Sequence, residues 1–135
     1  MSVHHPITIT DQDIGRLSEL VSLYGEVEGA ATESLQEELD RAVVVPHSEV
    51  AASVVTMNSC VVCRDEQGAT REIKIVYPQD ADATSGRISV LAPLGRALLG
   101  ARVGDRVDVV GRGRSRSWTV EVIRYQPEAA GDYHL

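Results

Sequence analysis

The chain has no phenylalanine, one tryptophan and two cysteines among its 135 residues. Two thiols are too few for a disulfide scaffold, and Cys60 and Cys63 lie in an apolar, strand-like run where reduced thiols behave as small hydrophobes. Their spacing is half of a zinc site, but no second Cys or His pair completes it, and positions i and i+3 of a strand face opposite sides. No metal site is expected. No apolar run approaches the ~18–20 residues that cross a bilayer, and "MSVHHPITIT" lacks the basic start and apolar core of a secretory signal. A cytoplasmic protein without membrane contact is the expectation. His4, His5, His47 and His134 are scattered and support no nucleophile, base and acid constellation. The glycines of "GRGRS" follow a strand but open no helix, so they form no phosphate cradle. The chain therefore reads as neither an enzyme nor a cofactor carrier.

What is present is an uneven charge. Residues 1–45 hold nine acids against Arg16 and Arg41, whereas the remaining ninety residues balance eleven acids with eleven bases. The whole net charge of −7 sits on the first third. Such a segment repels nucleic acid, which binds through neutralised phosphates, and is either an ordinary solvated helical face or an arm drawn to a basic or metal-bearing partner. Arg112, Arg114 and Arg116 share spacing two at a hairpin tip, but no aromatic interleaves them for base stacking, so a solvated turn is read there.

The length fits one compact domain plus an appendage. "ITITDQDIGRLSELVSLYG" starts well as a helix: Thr10 caps, Asp13 stands at a capping-box position, and Ile9 and Ile14 occupy staple positions. Ile14, Leu17, Val21 and Tyr24 form one narrow apolar seam, and Ala31, Leu35, Leu39 and Ala42 form another after the Gly25 to Gly29 turn. Two antiparallel helices result, a short coiled coil about 20 Å long at 1.5 Å per residue. Helices this short are marginal alone, so the hairpin should lean on the domain or on a partner. From Val43 the pattern becomes strand-like in "SVVTMNSCVVCRD", "REIKIVYP", "RISVLA", "DRVDVVG" and "WTVEVIRY". Pro93 opens a short helix that Gly100 closes. The predicted class is α+β: a helical hairpin over residues 1–42, then, over residues 43–135, a mainly antiparallel sheet packed on one short helix.

Four stretches carry a resemblance: "SVLAPLGRALLGARVGD", "VVTMNS", "IVYPQDAD" and "YQPEAAGDYHL". They resemble the regulators of nucleoside diphosphate kinase (Rnk), bacterial relatives of the GreA/GreB transcript-cleavage factors. The resemblance covers nearly the whole chain and is strongest over residues 54–110 and 123–135. It implies an N-terminal antiparallel coiled coil, a C-terminal domain of FKBP-like fold, and docking of that domain on the β′ coiled coil at the rim of the RNA polymerase secondary channel. The docking position falls on Leu91, Ala92 and Pro93, running into Leu94. Cleavage factors have an Asp-Ser-Pro-like sequence there; here the proline carries over and the charged residue does not. An exposed Leu91 would supply apolar contact instead; alternatively Leu91, Leu94 and Leu98 pack the core.

The hairpin tip, with Tyr24, Glu26, Val27 and Glu28 as contact residues, departs further. Cleavage factors carry an acidic pair separated by two residues on a much longer coiled coil, which delivers a second magnesium ion. Glu26 and Glu28 have the wrong spacing on a hairpin of about 20 Å, and carboxylates that stop short of the ion contribute nothing to two-metal catalysis. The expectation is a monomeric regulator that occupies the channel entrance in competition with Gre factors without stimulating cleavage. It would meet DNA only through the polymerase and influence nucleoside diphosphate kinase indirectly. Two alternatives stay open: a true cleavage factor, and an FKBP-like prolyl isomerase or chaperone. The second asks for several site aromatics, while Trp118 lies on a strand where core packing suffices.

Overall fold

The structure is a computed structural model that describes residues 7–25, 29–111 and 114–132. Strand β1 (Thr8–Thr10) runs directly into helix α1 (Asp11–Tyr24), and α2 (Gly29–Arg41) returns to strand β2 (Val43–Val45). Five strands follow, β3 (Cys60–Asp65), β4 (Thr70–Val76), β5 (Arg87–Ser89), β6 (Arg106–Gly111) and β7 (Arg114–Tyr125). Helix α3 (Pro93–Leu98) lies between β5 and β6, and the one-turn α4 (Pro127–Ala130) follows β7. The five strands form one sheet in the order β5-β4-β3-β7-β6, with β4 and β5 parallel and every other pair antiparallel. The predicted α+β class and the mainly antiparallel sheet are what is observed.

One face of that sheet is buried. Val61, Ile73, Ile75 and Val120 are closed to solvent, while the alternates Arg64 and Glu72 are exposed, as period two requires; a register shift between Val62 and Cys63 sets Val122 on the exposed side as well. The exposed side carries cross-strand ion pairs: Arg64 with Glu121 at 2.6 Å and Arg124 with Glu72 at 3.5 Å. On the buried side the core is continuous, for Leu17, Leu20, Leu35 and Leu39 of the hairpin join Met57, Ile75, Val90 and Leu98 in one cluster. The hairpin leans on the sheet domain. This contact widens the seam: Leu20 and Thr32 are buried alongside Leu17, Leu35 and Leu39, whereas Ile14, Val21, Tyr24, Ala31 and Ala42 are half-buried. A helix that faces both its neighbour and a sheet needs a broader apolar stripe than a free coiled coil.

Three further differences have local causes. "ITIT" is not all helix: Thr8–Thr10 pairs in parallel with Val43–Val45 and ties the two ends of the hairpin together. The strand expected from Ser53 begins only at Cys60, because Thr56–Ser59 forms a hydroxyl-locked turn. There Thr56 N–H donates to Ser59 Oγ at 3.0 Å, Ser59 N–H donates to Thr56 O at 3.1 Å, and Asn58 takes φ 66°, a left-handed value that asparagine tolerates better than most residues. Finally, α4 was not anticipated. Gln126 caps it by accepting from Ala129 N–H at 3.1 Å, and its amide donates to Ala51 O at 2.8 Å and Val54 O at 2.7 Å.

Candidate functional site

The segment between β5 and α3 is built by a hydrogen-bonded bend. Ser89 Oγ accepts from Leu91 N–H at 3.1 Å, Ser89 O accepts from Ala92 N–H at 3.0 Å, and Pro93 then starts α3 where no backbone donor is needed. Gly95 lets the helix approach: a Cβ there would stand 2.2 Å from Ser89 O. Arg96 closes the loop from the far side, its guanidinium donating to Leu91 O. Pro93 is exposed, and Ala92 and Leu94 are half-buried.

Of the two readings of Leu91, apolar contact or core packing, the fold realises the second. The Leu91 side chain is 8% exposed and belongs to the core, so it offers no free apolar knob. Burial follows from the bend, which points Leu91 inward and leaves Pro93 at the apex. Leu98 is fully buried as well. Sequence reasoning missed Ser89, Gly95 and Arg96; a glycine inside "PLGRAL" was the available signal, since mid-helix glycine costs stability unless a close approach requires it.

The first turn of α2 lies across from this segment. Gly29, Ala30, Ala31 and Ser34 form one wall of an open groove of about 470 Å³, and Leu91, Pro93 and Arg96 form the other. The first turn of α2 and the segment before α3 are thus two sides of one groove. Tyr24, at the end of α1, is half-buried against the core. Glu26, Val27 and Glu28 lie outside the described residues.

The other end of the hairpin is anchored by hydrogen bonds to buried carboxyl groups. Thr10 caps α1 as predicted, its Oγ1 accepting from Asp13 N–H at 3.0 Å. Asp13 is more than a capping-box acid, however: it is 1% exposed and its Oδ2 accepts from Met57 N–H at 3.1 Å, across the boundary between hairpin and sheet. Burial pushes its carboxyl up to about 6, and the nearby Glu128 adds to the effect, against the pull of the Met57 N–H, Arg16 and Thr10. Glu128, from α4, is buried too and accepts from Thr56 Oγ1 at 2.7 Å.

No group of three His, Cys, Asp or Glu side chains able to hold a metal occurs among the described residues, and none of their helices is long and apolar enough to cross a membrane. Cys60 and Cys63 are free thiols, the second buried. Trp118 is buried in β7, with the Arg116 guanidinium 5.7 Å from its ring centre. Arg112 and the Arg114 side chain lie outside the described residues.

A hairpin tied to a one-face-buried sheet, with a proline-started helix at its rim, is the architecture of GreA/GreB-type proteins. The prokaryotic transcription elongation factor GreA/GreB from Nitrosomonas europaea superposes with a TM-score of 0.76 at 35% identity, over 88% of this chain and 99% of that one. The family model described as transcription elongation factor, GreA/GreB, C-term matches residues 50–125, and that described as Rnk N-terminus matches residues 5–45. The regulator of nucleoside diphosphate kinase of Escherichia coli (strain K12) is 39% identical over 132 residues, 96% of each chain. Transcription elongation factor GreA of Rhodospirillum rubrum is 34% identical over 100 residues, 73% of this chain but 63% of that longer one. The chain belongs to the regulator of nucleoside diphosphate kinase family, a branch of the GreA/GreB proteins.

Proposed function

We propose that this protein is a non-enzymatic transcription regulator that binds RNA polymerase at the rim of the secondary channel and obstructs Gre-type factors there without stimulating transcript cleavage. One observation carries the reading. The segment that corresponds to the family's docking loop is folded into an ordered bend with Pro93 exposed at its apex, and it shares a groove with the first turn of α2. A partner helix seated on Ala92, Pro93 and Leu94 would touch both walls, so docking and hairpin position become one event.

The short arm supports obstruction over assistance. Helices of 14 and 13 residues span about 20 Å, and Leu17, Leu20, Leu35 and Leu39 commit the hairpin to the protein's own core. An arm held in this way has little freedom to carry carboxylates to a distant metal. An effect on nucleoside diphosphate kinase then follows through transcription.

Retention on immobilised core RNA polymerase tests docking. The Pro93→Asp variant changes an exposed residue at the first helical position, where an acid is tolerated, so it should fold and yet bind at least about tenfold more weakly. Undiminished retention removes the docking assignment. A cleavage assay on stalled polymerase tests the second half: the protein should suppress GreA-stimulated cleavage and cause none itself. Cleavage that disappears on replacing Glu26 or Glu28 overturns the reading.

A further inference from the structure

Asp13 and Glu128 reach the same turn from opposite ends of the chain. Asp13 holds Met57 N–H from the first turn of α1, and Glu128 holds the Thr56 hydroxyl from α4. Two buried acids thus grip adjacent residues where hairpin, sheet domain and C-terminal helix meet. Asp13 Oδ1 lacks a hydrogen-bond partner among the described residues, and the Tyr77 hydroxyl beside it interacts with Arg16 but makes no hydrogen bond of good geometry. A complete buried network would not leave a carboxyl oxygen open.

We propose that the Asp13 carboxyl is a proton-operated latch between the hairpin and the sheet domain, firm when the carboxyl is neutral and loosened when it is ionised. The groups that face it are Glu128 from α4, Arg16 one turn on along α1, Tyr77 after β4, the Thr10 hydroxyl and the Met57 N–H. Arg16 and the Met57 N–H favour the anion. Burial and the like charge of Glu128 oppose it more strongly, which places the transition at about pH 6. Once ionised, a carboxylate with one oxygen unpaired gains by admitting water, and the joint must part for water to enter. The far end of the same hairpin is the Gly29 to Ser34 wall of the groove, so a looser base alters the spacing of that wall from Pro93 and Arg96.

A second polar contact stands beside the latch: His47 Nδ1 lies 2.9 Å from Asp11 Oδ1 on the exposed side of the α1 start, two residues from Asp13. The experiment is therefore done in a His47→Gln background. Carbon-13 and amide NMR of the full chain are followed from about pH 4.5 to about pH 8, with and without Asp13→Asn and Glu128→Gln. The Asp13 carboxyl carbon should titrate near 6, and the Met57 amide and the amides of residues 29–34 should move with the same midpoint. Asn at position 13 can still accept from Met57 N–H and should abolish those movements. Gln at position 128 can still accept from Thr56 and should shift the Asp13 midpoint downward. An Asp13 carbon that titrates near an ordinary aspartate value, or groove amides whose titration survives Asp13→Asn, overturns the latch. Should the Asn variant fail to fold, the carbon midpoints of the other two proteins still decide.

Discussion

At the scale of single residues, the structure is governed by where polar atoms can be satisfied. Asp13 was legible as a helix-start residue, but its burial was not, because nothing local announces that the Met57 turn will close over it. The consequence for stability has a definite sign. Its folded value of about 6 lies above the usual aspartate range, so the folded chain keeps a proton that the unfolded chain has released. Stability from this group therefore falls as pH rises between about 4 and about 6, by on the order of 3 kcal/mol, and stays low above that. Urea unfolding of wild type and Asp13→Asn across this range should show that slope in the first and its loss in the second. Gly95 is the other decisive residue. Alanine would drive its Cβ into the Ser89 carbonyl, so Gly95→Ala should destabilise by about 1–3 kcal/mol despite its better helix propensity, a loss measurable as a lower thermal midpoint.

At the scale of elements, the hairpin shows why a seam read from spacing comes out too narrow. Ile14, Leu17, Val21 and Tyr24 satisfied a two-helix geometry, yet Leu20 is more buried than Ile14 because the sheet domain covers a second flank. Leu35→Ala should cost about 2–5 kcal/mol, a value typical of a fully enclosed leucine rather than of one in an exposed coiled coil. Helix α4 was invisible for a related reason: four residues carry no periodicity, and its stability rests on Gln126. Replacing Gln126 by alanine strands the Ala51 and Val54 carbonyls and uncaps α4. A loss of about 2–4 kcal/mol is expected, detected by chemical denaturation.

For the whole molecule, the shared core predicts cooperative behaviour. Leucines of both helices sit in the same cluster as Met57, Ile75 and Leu98, so hairpin and sheet should unfold in a single transition in which far-UV helix signal and Trp118 fluorescence coincide. A hairpin that melts first would show that the two parts are only loosely joined. The helical hairpin, the mainly antiparallel sheet and the Pro93 helix were all legible, because each has its own periodicity and boundary residues. Less of the candidate site was. The resemblance pointed to residues 91–94, but the inward turn of Leu91 depends on Ser89, Gly95 and Arg96, which only the folded bend brings into contact.

The sequence alone determined the order of helical hairpin and sheet, the acidic first third and the shortness of the arm, since these depend on residue type and spacing within a few turns. Tertiary structure decided which leucines face inward, that the arm lies against its own domain, and that two acids more than a hundred positions apart close on one turn. The physical reason is that burial is set by what comes to lie over a residue, and for Asp13, Leu91 and Gln126 the covering groups are supplied by distant segments or by a bend that no pattern encodes.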